Sequence, residues 1–155
     1  MNYESKMLLI ANGLQFIHGA KKIHKDLHPG NILFQYSKPY ISDLGMCQPA
    51  NNEEQSVENE GNYGVLPYMD PEVLCGNQYI KASDIYSFGI IMNELISEKT
   101  PYNDTPHDHI LAVKICKGFR PEIFEDTPKL FADLIMKCGM VKQKIDQLLK
   151  NYFKY

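Results

Sequence analysis

Paired cysteines are absent from this sequence. The four cysteines, Cys47, Cys75, Cys116 and Cys138, are far apart and form no CxxC motif. A zinc cluster or a dense disulfide framework is therefore not expected, and reduced thiols are the default state. The five histidines form no HExxH pattern, so the usual signature of a zinc-protease helix is also missing.

Long apolar runs and a large net charge are absent as well. No run of about 18 apolar residues occurs, so we expect no membrane-spanning helix, and the polar residues 2–6 make a poor start for a signal peptide. The net charge of −3 gives no global indication of binding to nucleic acid or to an anionic membrane. We therefore expect a soluble, cytoplasmic protein with one ordinary globular domain.

A turn-rich segment, residues 23–31, interrupts the apolar sequence near the start of the chain. Within it, Asp26 precedes Asn31 by five residues, and Asp43 follows Asn31 by twelve. A carboxylate, an amide and a second carboxylate at these offsets suit phosphoryl transfer from metal-bound ATP. Taken alone, such residues are common in turns, so the interpretation depends on the rest of the chain.

Short strands are predicted on either side of a turn after this segment. An amphipathic helix is predicted over residues 4–19, and strands over residues 32–34 and 39–42. An antiparallel hairpin would bring its two open ends together. Asn31 and Asp43 would then be close enough to share one ion.

The most apolar helix of the sequence is predicted over residues 82–98. Apolar residues leave it little polar surface, which is typical of a buried helix. Asp84 near its start would then be buried and would need hydrogen-bond donors, most simply backbone N–H groups. By contrast, the polar composition of residues 46–66 predicts a mobile loop.

Three further helices are predicted in the last third of the chain. One has Thr105 as N-cap and runs to about Lys117. A second opens at Thr127-Pro128, and the last covers residues 142–153, with a basic and solvated face. The inward positions expected for the second are Leu130, Leu134, Ile135 and Met136.

Four ordered segments carry a resemblance to the C-terminal lobe of a eukaryotic protein kinase. They match the catalytic loop, the DFG segment, the APE segment and the start of the central helix. The sequence after Asp84 is most similar to the tyrosine-kinase-like group of Ser/Thr kinases. The segments are HKDLHPGN at 24–31, DLG at 43–45, DPE at 70–72 and SDIYSFG at 83–89.

The resemblance implies a mainly α (α+β) fold, with a small β-hairpin over a buried central helix. Residues 1–155 would form a partial kinase domain with an activation loop at about 43–72. The implied activity is ATP-dependent phosphoryl transfer to a protein hydroxyl, on serine or threonine rather than tyrosine, with ATP and Mg²⁺ as cofactors. The implied partner is a protein substrate.

The resemblance also implies roles for individual residues. Asp26 would accept the proton of the substrate hydroxyl, with Lys25 and His28 beside it. Asn31 and Asp43 would bind the magnesium ions that bridge the phosphates of ATP.

Other residues would support this site. Leu33 would lie under the adenine ring, and Asp84 would hold the backbone of the catalytic loop. His24 and Leu44 would pack structurally, and Glu72 would pair with a cation near residue 140. Within the loop the candidate phosphosites are Ser56 and Tyr63.

Several positions depart from the family pattern. Lys25 replaces the usual arginine and loses its bidentate fork, and Leu44 replaces the usual phenylalanine. His28 stands where these kinases carry a phosphate-contacting lysine, so either a turn role or a phosphate contact is open to it. Near residue 140 the chain offers Glu72 only lysines.

The largest departure is that the sequence offers no glycine-rich loop and no strand lysine with a glutamate partner on a helix. We therefore expect the N-terminal lobe to be missing and residues 1–155 alone to be largely inactive. One alternative is a pseudokinase or docking module whose surface around Leu33 and Leu44 is covered by a protein partner. Another is a truncated gene model without independent function.

Overall fold

A computed structural model describes residues 2–50 and 64–139 of the chain. The helices in this part are α1 (Tyr3–Gly19), α2 (Pro71–Leu74), α3 (Lys81–Ser97), α4 (His109–Cys116) and α5 (Lys129–Gly139). The strands are β1 (Lys22–Ile23), β2 (Ile32–Gln35), β3 (Lys38–Ile41) and β4 (Gln48–Pro49). Short 3₁₀ turns occupy Pro29–Asn31, Leu44–Met46 and Leu66–Tyr68. No helix among the described residues is long and apolar enough to cross a membrane.

The core is built around α3, which is buried continuously from Ser83 to Asn93. Helix α1 packs against it through Met7, Ile10 and Leu14, and α5 packs against its other side. Burial of these large apolar side chains is the main stabilising contribution. The predicted fold class, a mainly helical lobe with a buried central helix and a small hairpin, is confirmed.

The hairpin of β2 and β3 lies against α1. Ile32 is paired with Ile41 at its open end, and Tyr36 and Ser37 form the turn, both with positive φ. This turn conformation matches the twist of a two-residue hairpin. A second two-stranded pairing, β1 with β4, was not predicted because each strand has only two residues.

Two of the helix predictions are wrong in detail. Helix α4 begins at His109, and its N-cap is Asp108, whose Oδ1 accepts hydrogen bonds from the N–H groups of residues 110 and 111 at 2.9 and 3.1 Å. Thr105 is therefore not the cap. In α5, Phe131 is buried, whereas Leu130 and Met136 are 50% and 48% exposed.

The error in α5 concerns the phase of the helix. Its inward positions are Phe131, Leu134, Ile135 and Cys138, which share one face at helical spacing. Leu134 and Ile135 were predicted correctly. The predicted helix over 142–153 lies outside the described residues.

Candidate active site

Asp84 holds the segment 23–31 in place through hydrogen bonds with its backbone. Its Oδ2 accepts a hydrogen bond from the backbone N–H of His24 at 2.8 Å, and its Oδ1 accepts one from the N–H of Lys25 at 2.9 Å. Nε2 of His18 lies 2.8 Å from the same Oδ2. A buried carboxylate with three donors meets its hydrogen-bonding requirement inside the protein.

His24 links this segment to the end of strand β3. Its side chain is fully buried, and its Nε2 lies 2.9 Å from the carbonyl oxygen of Ser42. Ser42 directly precedes Asp43 in the sequence. The imidazole thus fixes the distance between the loop that contains Asp26 and the residue that leads into Asp43.

Asn31 joins the same two regions through its amide and its backbone. Its Nδ2 donates to the backbone oxygen of Asp26 at 2.8 Å and to the Asp26 carboxylate at 3.1 Å. Its carbonyl oxygen accepts from the N–H of Ser42 at 2.8 Å and from the Ser42 hydroxyl at 3.0 Å. Asp26, Asn31 and the residue before Asp43 therefore form one hydrogen-bonded unit.

The donor atoms in this unit suit a magnesium ion. Because Nδ2 of Asn31 is used on Asp26, the remaining polar atom of the amide is an oxygen. Asp43 is exposed and has a left-handed backbone (φ 56°), and its Oδ1 accepts a bond of 3.4 Å from the N–H of Gly45. Carboxylate and amide oxygens are the ligand types that Mg²⁺ takes in proteins, so these two residues fit the ion.

His28 closes the short turn between Asp26 and Asn31. Its Nδ1 accepts a hydrogen bond from the N–H of Gly30 at 3.1 Å, which makes it the cap of the 3₁₀ turn. Its Nε2 lies 3.6 Å from Oδ2 of Asp26, and its ring lies 6.3 Å from the ring of Tyr68. The structural role in the turn is therefore present, and the imidazole also faces the Asp26 carboxylate.

Lys25 has a left-handed backbone, with φ at 72°. This conformation is uncommon for a residue with a side chain, and the hydrogen bond from its N–H to Asp84 holds it there. Its ammonium group lies 5.2 Å from the ring centroid of Tyr79, within cation–π range. Burial, followed by the charges of Asp26, Asp84 and Asp70, raises the pKa of Tyr79 to about 12.

The remaining predicted residues lie around this unit. Leu33 on β2 and Leu44 in the following turn are 59% and 56% exposed. Glu72 lies in α2, where its N–H donates to Oδ1 of Asp70 at 2.9 Å. The cations expected near residue 140, and the candidate phosphosites Ser56 and Tyr63, lie outside the described residues.

His18 and Ser42 contribute to the site but were not among the predicted residues. His18 follows Ala11 and Leu14 on the buried face of α1. A histidine on such an apolar face is a recognisable signal, because its polar ring needs a buried partner. Ser42 acts mainly through its backbone, which leaves little signal in a single sequence.

Comparison with known proteins identifies the family of this chain and several relatives. The model of the family described as protein tyrosine and serine/threonine kinase matches residues 4–146. A probable LIM domain-containing serine/threonine-protein kinase of Dictyostelium discoideum is 33% identical over 135 residues, which are 87% of this chain and 20% of that protein. Mitogen-activated protein kinase kinase kinase 7 of Drosophila melanogaster is 30% identical over 131 residues, which are 83% of this chain and 19% of that protein.

A third relative, the protein kinase and PP2C-like domain-containing protein of Arabidopsis thaliana, is 29% identical over 163 residues. That match covers 84% of this chain and 25% of the relative. The chain thus spans a quarter or less of the length of these three proteins. The family match covers most of the chain and includes all four of the kinase-like segments. The chain belongs to the protein tyrosine and serine/threonine kinase family.

Proposed function

We propose that residues 23–43 carry out phosphoryl transfer from ATP to a serine or threonine hydroxyl of a protein substrate. The observation that supports this most directly is the amide of Asn31, which is bonded to both the backbone and the carboxylate of Asp26. The carbonyl of the same residue is bonded to the residue before Asp43. In this proposal the base, Asp26, and one metal ligand, Asn31, are hydrogen-bonded to each other, and the second ligand, Asp43, directly follows the residue that is bonded to Asn31.

In this proposal Asp26 orients the substrate hydroxyl and accepts its proton through Oδ1 or Oδ2. Asn31 directs its amide hydrogens at that carboxylate, which leaves its amide oxygen for the metal. Mg²⁺, when bound by Asn31 and Asp43, would neutralise negative charge on the phosphates of ATP. Asp84 and His24 act indirectly, because their hydrogen bonds position the backbone on either side of the proton acceptor, Asp26.

Substitution of Asp26 in the full-length protein tests the proposal. Asp26→Asn keeps the side-chain size but removes the proton acceptor, so we expect phosphate transfer to fall by roughly 10²- to 10⁴-fold. Asp104→Asn is the matched control, because this aspartate lies in an exposed loop and accepts a hydrogen bond from its neighbour Thr105. Transfer of labelled phosphate from ATP to a library of serine and threonine peptides is the measurement.

The result that would contradict the proposal is equal transfer by Asp26→Asn and the control. A second contradiction would be a wild-type protein whose melting temperature does not respond to millimolar Mg-ATP. The same assays on residues 1–155 alone measure how much of the activity this part carries.

A protein-docking role without catalysis is the second candidate. It is favoured by the exposed apolar side chains of Leu33, Phe34, Tyr40 and Leu44 on and beside the hairpin. Contiguous exposed apolar side chains commonly mark an interaction surface. Loss of a partner on Leu33→Glu, with no response of the protein to Mg-ATP, would favour this role over phosphoryl transfer.

A further inference from the structure

Two thiols meet where helices α2 and α4 pack together. Cys75 directly follows α2, and Cys116 is the last residue of α4. The residues before them pack in the same way, because Leu74 lies against the buried cluster that includes Ile115. The C-terminal end of α2 therefore packs against α4.

The backbone carbonyl of Pro71 contacts both cysteines. Its oxygen accepts the N–H of Cys75 at 3.0 Å and the thiol of Cys116 at 3.7 Å. The Cys116 thiol and the backbone of Cys75 therefore lie beside the same carbonyl oxygen. Both cysteines are free thiols, Cys75 exposed and Cys116 partly buried.

We propose that Cys75 and Cys116 are a redox-sensitive pair that forms a reversible disulfide between α2 and α4 when the protein meets a peroxide. Both cysteines are then reduced by default, as the scattered positions of the four cysteines suggest. The disulfide between α2 and α4 forms only under oxidation. The proposal concerns these thiols alone and does not depend on phosphoryl transfer.

The chemistry requires one peroxide and no metal. The thiolate of Cys75 attacks one peroxide oxygen, the O–O bond breaks, and Cys75 becomes a sulfenic acid while hydroxide leaves and is protonated to water. The Cys116 sulfur, having lost its proton, then attacks the Cys75 sulfur, the S–O bond breaks and a second water leaves. Two thiols lose two electrons in total, and one hydrogen peroxide is reduced to two waters.

The order of these steps follows from exposure. Cys75 is exposed to solvent, whereas burial and the neighbouring Cys75 thiol raise the pKa of Cys116 to about 11. Reaction with peroxide requires an accessible thiolate, so Cys75 reacts first. Cys116 then attacks the sulfenic acid of Cys75 and forms the disulfide.

The local backbone can accept the new bond. When the Cys116 thiol no longer donates to Pro71, the carbonyl oxygen keeps the N–H of Cys75 as its partner. Gly76 follows with φ at +94°. Apart from the adjacent residues, no atom of the described part of the chain lies within 4 Å of where a Cβ would stand on it, so the end of α2 has space to adjust.

Peptide mapping of the peroxide-treated complete protein tests the proposal. Cleavage before aspartate releases Cys75 on residues 70–83 and Cys116 on residues 108–125, separate from the peptides of Cys47 and Cys138. Under non-reducing conditions we expect a cross-linked pair of these two peptides, lighter by two hydrogens than their sum. Dithiothreitol should restore the free peptides, and the cross-link should appear at peroxide doses that leave Cys138 unmodified.

Single substitutions identify the partners. Cys75→Ser and Cys116→Ser should each abolish the cross-link, whereas Cys47→Ser, the matched control, should leave its yield unchanged. The oxidised wild-type protein should also melt at a higher temperature than the reduced protein. The proposal is wrong if the wild-type Cys75 ends as a sulfinic acid or an intermolecular disulfide while Cys116 stays a free thiol.

Discussion

The Nε2 atom of His18 lies 2.8 Å from Oδ2 of Asp84, although 66 residues separate them along the chain. The two side chains are only 4% and 1% exposed. Because an ionised carboxylate only accepts hydrogen bonds, Nε2 is the donor. The imidazole is the third donor on Asp84, beside the N–H groups of His24 and Lys25, so α1, α3 and the segment 23–31 meet at one carboxylate.

Asp84→Asn is expected to destabilise the protein by about 1–3 kcal/mol, because one carboxylate oxygen becomes an NH₂ group facing another donor. The free energy of unfolding in urea is the measurement, with Asp104→Asn in an exposed loop as the matched control. Equal losses for the two variants would mean that the three hydrogen bonds on Asp84 contribute little.

Gly30→Ala is expected to disturb the position of His28. An added Cβ would lie 2.7 Å from Cε1 and 3.0 Å from Nδ1 of the His28 ring, so the ring must move and its hydrogen bond with the N–H of Gly30 is lost. We expect the free energy of unfolding to fall by about 1–2 kcal/mol. Gly19→Ala is the control, because among the described residues its added Cβ meets no atom within 4 Å beyond the adjacent residues and the backbone of its own helix.

A double-mutant cycle separates this clash from a general effect on the turn. In a His28→Ala background the ring is gone, so Gly30→Ala should cost much less than in the wild type. The same cost in both backgrounds would show that the turn itself, rather than the imidazole, excludes a side chain at residue 30.

The parts of the site that could be predicted from the sequence are those set by periodicity and by hydrogen-bonding need. The apolar pattern of α3 implied that Asp84 is buried, and a buried carboxylate needs donors. The identity of His18 as one donor depends on how α1 lies across α3, which a single sequence does not contain. Likewise, Thr105 and Asp108 are both good N-caps by type, and only the path of the loop decides between them.

Gly89→Ala is expected to separate α3 from α5. An added Cβ would lie 2.5 Å from the Cβ of Cys138, closer than two carbons can approach, and 3.6 Å from the carbonyl oxygen of Ile135. The helices must shift apart, which typically costs about 1–3 kcal/mol. Urea unfolding measures the loss, again against Gly19→Ala.

The contact with Cys138 can be tested by relieving it. Cys138→Gly removes the opposing Cβ, so the additional cost of Gly89→Ala in that background should shrink. Because helix propensity favours alanine over glycine, an undiminished cost would indicate that another neighbour, rather than Cys138, excludes a side chain at residue 89.

Glu94→Gln is expected to change how stability depends on pH. Burial raises the pKa of Glu94 above its ordinary value, and this outweighs the opposite effect of the hydrogen bond of 2.7 Å donated by the Tyr68 hydroxyl. The native state therefore binds a proton more readily than the unfolded chain does. The stabilisation from that proton is full below the unfolded-state pKa of about 4.5 and is lost as pH rises through the folded-state pKa.

The glutamine variant does not titrate at residue 94, so it escapes this loss. Its free energy of unfolding minus that of the wild type should become more positive as the pH rises from about 4 to about 7. Urea unfolding at several pH values gives this difference, and Glu98→Gln at the exposed end of α3 controls for the loss of one negative charge. A difference that becomes more negative over the same range would mean that the Tyr68 hydrogen bond to the ionised carboxylate dominates over burial.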